Sequence, residues 1–279
     1  MSKNKPAGFV VGAASLDTLH FAGQTVHAAG GAGLYTALAA RQSGAATALF
    51  APRPEPMPAE LQPVADRLDW LGPVIDPAQL PRLEIEHYGG GQARLVAASW
   101  GAETILTPQL LPEVAWQVDF VHIAALSSAE RQLAFLETLR ARRGEQTHPR
   151  FSVGTYARLV YGDPAGVRRL FELADLFFMN ENEATGLFGS VAQAHTRPEA
   201  LLFVTLGEAG ALVITGDQVT HIAGQPVLEL DPTGAGDTFC GATLAGLAWG
   251  DTALEAAEKA VSLAAQTVSA AGPAALLKT

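Results

Sequence analysis

The sequence predicts an α/β protein built on a doubly wound, mainly parallel sheet flanked by helices, with a small β lid. Short apolar runs alternate with helical stretches over most of the chain, the pattern of strands that bury both faces. At 279 residues, 48% of them apolar and 16% charged, the chain is long enough for one large domain spanning residues 1–279. A single stretch, 82–107, breaks the alternation with period-2 patterning, which is where the lid is expected.

Core strands are expected at 8–14, 46–50, 118–124, 150–155, 175–180 and 201–206. The first follows Lys3 and Lys5, a faint likeness to a secretory signal. A buried strand fits better, because the run is short, poor in leucine and leads straight to Asp17. A helix over Ala32 to Ser43 ends at Gly44, and one over Ala129 to Arg143 ends at Gly144, with Leu133, Leu136 and Leu139 or Arg140 on successive turns. Asp163-Pro164 reads as an N-cap followed by proline at the first helical position. Gly216-Asp217 reads as the turn of a hairpin between 210–215 and 218–223, and helices after Gly236 and over about Thr252 to Ser269 finish the chain. Leu83 to Tyr88, Gly89-Gly90-Gly91 and Gln92 to Ala97 form the inserted hairpin, which with residues 17–28 makes the lid. Pro52 to Pro63, with five prolines, reads as a surface loop.

Composition narrows the function. A net charge of −10 argues against a nucleic-acid partner, because neutralising phosphates takes a basic surface. The cluster Arg140 to Arg143 reads as a helix end suited to the dipole. Cys240 is the only cysteine, so an intrachain disulfide and a Cys-rich metal site are excluded and a reducing cytoplasm is the expected setting. No apolar run reaches the ~18 residues of a membrane span.

Residues 231–239, Asp-Pro-Thr-Gly-Ala-Gly-Asp-Thr-Phe, carry the chemistry. A Gly-Ala-Gly turn entering a helix leaves backbone N–H groups unpaired at a positive helix end, which favours a phosphate. Gly234 and Gly236 lack the Cβ atoms that would hold an anion away, and Asp237 stands beside them as a base. The plainer reading is that Asp237 only caps the helix. Together, Asp231, Thr233, Gly234, Ala235, Gly236 and Asp237 resemble the C-terminal signature of the ribokinase-like (PfkB) family of carbohydrate and nucleoside kinases.

Three further stretches extend that resemblance from about residue 9 to 272. Asn180-Glu181-Asn182-Glu183 is similar to the family's Asn-Xaa-Xaa-Glu element, which implies that Asn180 and Glu183 hold the hydration shell of Mg²⁺ against ATP phosphates. The alternative is that Asn182 or Glu183 caps a short helix. Thr205-Leu206-Gly207-Glu208-Ala209-Gly210 resembles a phosphate turn, with Thr205, Gly207, Gly210 and Thr233 implied as nucleotide contacts, although lysine is common in relatives where Glu208 or Ala209 stands. Asp17, Gly30 and Gly31 match positions that contact acceptor hydroxyls, and Tyr35 falls in the same substrate motif. Tyr35 either lines the acceptor pocket or packs in the core of its helix.

Departures from the pattern bear on substrate. Ala32 and Tyr35 replace the lysine and asparagine of ribokinases proper, and Ala124-Ala125-Leu126-Ser127-Ser128 lacks the sugar-contacting glutamate, so ribose-specific contacts are missing. Asp231, Thr233 and Gly272 match part of the family's monovalent-cation site, which implies K⁺, but Leu276 stands where a side-chain oxygen is often found. The resemblance implies an ATP-dependent phosphotransferase acting on a hydroxyl of a small sugar or sugar-like molecule, an inositol or nucleoside kinase being the alternative within the family. A non-catalytic nucleotide- or sugar-binding protein on the same fold is the alternative of another class. A nicotinamide-binding fold is disfavoured, because Gly31-Ala32-Gly33 lacks the third glycine and follows no strand directly. Lid hairpins in this family often pair across a homodimer, and Leu83, Ile85, Leu95 and Val96 supply an apolar face for it.

Overall fold

The computed structural model describes residue 5 and residues 7–21, 23–89 and 92–278, so Lys3, Gly90 and Gly91 lie outside the described residues. The chain begins with β1 (Ala7–Val11), whose alternate residues face opposite layers. Phe9 and Val11 join one core cluster, and Val10 joins another. There follow β2 (Ser15–Phe21), β3 (Gln24–Gly30), α1 (Ala32–Gln42), β4 (Ala46–Phe50), the short β5 (Arg53–Pro54), α2 (Gln62–Ala65), β6 (Asp69–Leu71), β7 (Val74–Ile75), β8 (Arg82–Gly89) and β9 (Gln92–Ser99). The second half holds β10 (Phe120–Ile123), α3 (Ala129–Arg143), β11 (Arg150–Gly154), α4 (Ala157–Gly162), α5 (Pro164–Leu173), β12 (Leu176–Asn180) and α6 (Glu181–Phe188). It ends with β13 (Leu201–Thr205), β14 (Gly210–Thr215), β15 (Gln218–Ala223), α7 (Ala235–Trp249) and α8 (Ala253–Val268).

Nine strands form the main sheet in the order β15-β14-β13-β12-β11-β10-β1-β4-β6, parallel except for the antiparallel edge β13-β14-β15. The chain moves from β1 to β4 on one side and returns to β10 on the other, so strand order reverses beside β1. Ligands of open α/β sheets bind at the carboxyl ends of the strands at such a point. Leu136 and Leu139 of α3 and Val167 and Leu170 of α5 bury one face of the sheet. On the other face α1 packs on α7 and α7 on α8. Gly241 of α7 permits this close approach, since a Cβ there would stand 2.1 Å from the Thr36 carbonyl oxygen.

A second sheet, in the order β3-β2-β8-β9, forms from the segments where the lid is expected. The first expected lid segment is longer than 17–28: β2 and β3 run from Ser15 to Gly30, so Asp17 lies on a lid strand. The first core strand is shorter than 8–14. It stops at Val11 because Gly12 meets Gly33 of α1, where a Cβ would lie 2.7 Å from the Gly33 Cα. Five elements escaped the sequence reading: β5, α2, β6, β7 and α4 are each two to six residues long, below the length at which periodicity is visible, and β5 and the start of α2 interrupt the loop expected over Pro52 to Pro63. Ser128, Asp163 and Thr252 cap α3, α5 and α8 through their side chains.

Phe203 stacks on Phe178 with ring centroids 4.8 Å apart and meets Phe239 of α7 at 6.1 Å, so α7 rests on the sheet through aromatic rings. Phe203→Ala is expected to cost about 3–5 kcal/mol. Guanidinium unfolding followed by circular dichroism checks it, as a lower midpoint at unchanged slope.

Candidate active site

Helix α7 starts without a side-chain cap. Its N-cap is Gly234, in the left-handed region at φ 75°, and a Cβ there would stand 2.4 Å from the Tyr35 ring. Asp237 is therefore not the cap and sits on the first turn. The N–H of Ala235 donates to the Pro232 carbonyl at 3.3 Å. Among the described residues the N–H groups of Gly236 and Asp237 have no acceptor, and the space beside Gly236 is open. Of the three expected anion donors, two are thus free and Ala235 is partly engaged.

Asp237 is half-buried, and burial pushes its pKa up to about 7. Asp17 is 2% exposed. Its Oδ1 accepts from the Leu83 N–H at 3.2 Å, tying β2 to β8. Gly30 has no alternative in this register, since a Cβ would fall 1.8 Å from Asp17 Oδ2. Burial, followed by weaker repulsion from Asp231, lifts the Asp17 pKa to about 6. Gly31, at φ 99°, caps α1, and a Cβ there would meet the Ala13 carbonyl oxygen at 2.5 Å.

Tyr35 is not an open wall of this cleft. It is 1% exposed and packs beneath Gly234, the core alternative raised from sequence, and burial, then the charges of Asp231, Asp17 and Asp237, push its pKa well up. Asp231 is 1% exposed and accepts from the Thr233 N–H at 2.9 Å and the Gly272 N–H at 2.7 Å. Leu276 is buried in one cluster with Leu34 and Leu38 of α1, so its own side chain lends no oxygen to that turn.

The carboxyl ends of β12 and β13 bring the two nucleotide motifs side by side, with Asn180 directly opposite Thr205. Asn180 and Glu183 form a capping box for α6. Glu183 accepts from the Asn180 N–H at 2.8 Å and from Asn180 Nδ2 at 2.7 Å, and the Asn180 side chain accepts from the Glu183 N–H at 2.9 Å. Burial raises the Glu183 pKa to about 7, with Asp237 adding repulsion and the Ala157 N–H opposing it. Among the described residues no three His, Cys, Asp or Glu side chains converge as a metal cage. An Mg²⁺ fits here only with water and phosphate oxygens as most of its ligands. Gly207 and Gly210, at φ 60° and 100°, shape the turn between β13 and β14, and a Cβ at Gly210 would stand 2.1 Å from the Ile222 carbonyl oxygen.

Sequence reasoning missed Glu103, on the single-turn segment Gly101–Ile105 that returns from the lid. It is fully buried, and its Oε1 accepts from the Ser127 N–H at 2.9 Å. An acidic residue in an irregular stretch carries no periodic signal of burial.

A model of the pfkB family of carbohydrate kinases matches residues 66–279. The chain is 33% identical over 162 residues to a fructokinase of Klebsiella pneumoniae, covering 53% of this chain and only 52% of that enzyme. It is 29% identical over 251 residues to a cytidine kinase of Thermococcus kodakarensis, covering 86% of this chain and 88% of the other. The crystal structure of an adenosine kinase from Sinorhizobium meliloti superposes with a TM-score of 0.80 at 18% identity, over 97% of this chain and 96% of that one. Ribokinase from Cryptococcus neoformans in complex with ADP gives 0.80 at 18% identity, over 99% and 98%. At such identities the superpositions establish the ribokinase-like fold alone. The family match spans most of the chain, including the whole Asp231 to Asp237 turn, and the protein belongs to the pfkB family of carbohydrate kinases.

Proposed function

We propose that the protein transfers the γ-phosphoryl group of ATP to a hydroxyl of a small sugar or sugar-like molecule. The observation that carries this reading is the uncapped first turn of α7, with two free N–H groups and Asp237 on the same turn. Asp237 takes the proton from the acceptor hydroxyl as its oxygen attacks the γ-phosphorus in line. The Gly236 and Asp237 N–H groups, with weaker help from Ala235, stabilise charge on the transferring group. Asp17, beside Gly30 and Gly31, accepts hydrogen bonds from acceptor hydroxyls and so orients them. Thr205, Gly207, Gly210 and Thr233 line the nucleotide side. Mg²⁺, when bound through water near Asn180 and Glu183, would neutralise phosphate charge.

No step is assigned to K⁺. Asp231 holds the turn by its two backbone contacts, and a monovalent cation beside it would reinforce that. The cytidine kinase relative aligns over most of its length, which favours a nucleoside as the alternative acceptor. An inositol is the other alternative, since a maize inositol 3-kinase is 38% identical over 77 residues. Cys240 is buried and unpaired, which accords with a cytoplasmic setting, and among the described residues no helix is long and apolar enough to cross a membrane. We also propose a homodimer through the lid, because Leu95 and Val96 on the edge strand β9 are 45% and 43% exposed.

Asp237→Asn is expected to keep ATP binding and lose at least about a hundredfold in kcat. The assay is Mg-ATP-dependent ADP release with pentoses, hexoses, inositols and nucleosides as acceptors. ATP binding with no acceptor-dependent ADP release from the unchanged chain would favour the non-catalytic binding protein. The base works ionised, so with its pKa near 7 the rate is expected to rise about tenfold per pH unit below 7 and level off above it; a profile flat from pH 5.5 to 8.5 would remove Asp237 from the base role. Light scattering at micromolar concentration is expected to give twice the chain mass, and Leu95→Glu with Val96→Glu to give the monomer.

A further inference from the structure

We propose that Tyr35 is a positioning residue for phosphoryl transfer: its ring is the spacer that sets how far the first turn of α7 stands from α1, and so where the free Gly236 and Asp237 N–H groups point. The inference rests on the phosphotransfer reading and adds to it a residue that acts from beneath the site.

The ring stands on a fixed base. Gly33, two residues before Tyr35 on α1, meets the end of β1, where a Cβ would stand 2.8 Å from the Gly12 Cα, so backbone lies on backbone there. The Leu34 N–H donates to the Ala13 carbonyl at 3.3 Å, and the Tyr35 N–H to the Gly31 carbonyl at 3.1 Å. These contacts hold the start of α1 against the strand. Tyr35 itself is among the largest fully buried side chains, packed with neighbours that leave it no open space to swing into.

The catalytic turn rests on that ring. A Cβ on Gly234 would fall 2.4 Å from Cδ1 and Cγ of Tyr35 and 2.5 Å from Cε1. Three neighbouring ring atoms at nearly equal distance put Gly234 over the face of the ring rather than at its edge. Two turns further along α7, Gly241 meets the Thr36 carbonyl of α1. Helix α7 therefore rests on α1 at two points about 10 Å apart. The point at Gly241 is backbone on backbone, whereas the point at Gly234 is set by a side chain. Tyr35 also reaches the other side of the Asp231 clamp, since a Cβ on Gly272 would stand 4.0 Å from Tyr35 Oη. Gly236 and Asp237 lie two and three residues beyond Gly234, so a shift of Gly234 is passed to their N–H groups. Misplacing such donors by about 1 Å costs on the order of a hundredfold in rate. Binding of ATP and acceptor changes little, because these donors act on charge that develops during transfer.

Tyr35→Phe keeps the ring and Tyr35→Leu removes it. Both are compared with the unchanged chain for kcat, ATP KM, acceptor KM and melting temperature on the same acceptor panel. Tyr35→Leu is expected to lose at least about tenfold in kcat with both KM values within about threefold, while Tyr35→Phe keeps kcat within about threefold. A folded Tyr35→Leu with a smaller loss overturns the proposal even if its melting temperature falls, because plain core packing predicts that result. An equal loss in Tyr35→Phe, or a raised acceptor KM with kcat kept, overturns it too. If Tyr35→Leu does not fold, Tyr35→Met, whose unbranched chain fills the space without a flat face, decides by the same measures. If the unchanged chain phosphorylates nothing, the phosphotransfer reading fails, and the amide NMR signals of Gly236 and Asp237 on adding Mg-ATP judge the spacer alone. Signals that move in the unchanged chain and in Tyr35→Phe but not in Tyr35→Leu uphold it. Signals that stay still throughout, or move alike in all three, overturn it.

Discussion

Asp231 holds the turn from which the rest of the site is built. Its buried carboxylate joins the Thr233 N–H to the Gly272 N–H, 41 residues away, and so clamps the entry to α7 against the C-terminal loop. A buried charge is costly unless hydrogen-bonded, and two backbone donors offset part of that cost while fixing the geometry. With the turn fixed, Gly234 takes its left-handed conformation over Tyr35 and the helix begins with no capping side chain. A serine or threonine cap would stabilise such a helix by about 0.5–2 kcal/mol. Its absence leaves the N–H groups of Gly236 and Asp237 for an anion.

The same compactness loads the cleft with strained charge. Asp17, Glu183 and Asp237 all have raised pKa values, near 6, 7 and 7, and burial is the largest cause for each. A carboxyl whose folded pKa lies above its unfolded value contributes stability at low pH and loses it as pH rises towards the folded value, here between about 4 and 7. At neutral pH these groups therefore weaken the fold. His122, beneath α7 and bonded to Ser152 at 2.9 Å, offers no compensating charge, because burial pushes its pKa down to about 3 and leaves it neutral.

The lid is part of this arrangement. Asp17 lies on β2, and its bond to the Leu83 N–H couples that buried carboxylate to β8. Glu103 continues the same logic on the return path, where the chain leaves β9 and is anchored by Arg131 to the core.

What could be read from the chain was whatever is local. Alternating apolar runs, glycines and prolines at element ends, and the Asp231 to Asp237 turn are short-range consequences of backbone geometry, and they placed the main sheet, the small second sheet, the longer helices and the turn that opens α7. The Asn180 and Glu183 pair was visible, but its capping box appears only with the strand-to-helix geometry. Tyr35 was ambiguous because a helix position does not say which layer covers it; the approach of Gly234 decided that it is core. Gly30 beneath Asp17, Asp231 bridging to Gly272, and Glu103 at Ser127 are contacts between residues 13 to 41 positions apart. No periodicity encodes such pairs, since they arise only when the sheet, lid and C-terminal loop pack together and exclude water. The sequence determined which chemical groups the protein has and where its elements begin. The tertiary structure decided which carboxylates are buried and which N–H groups stay free.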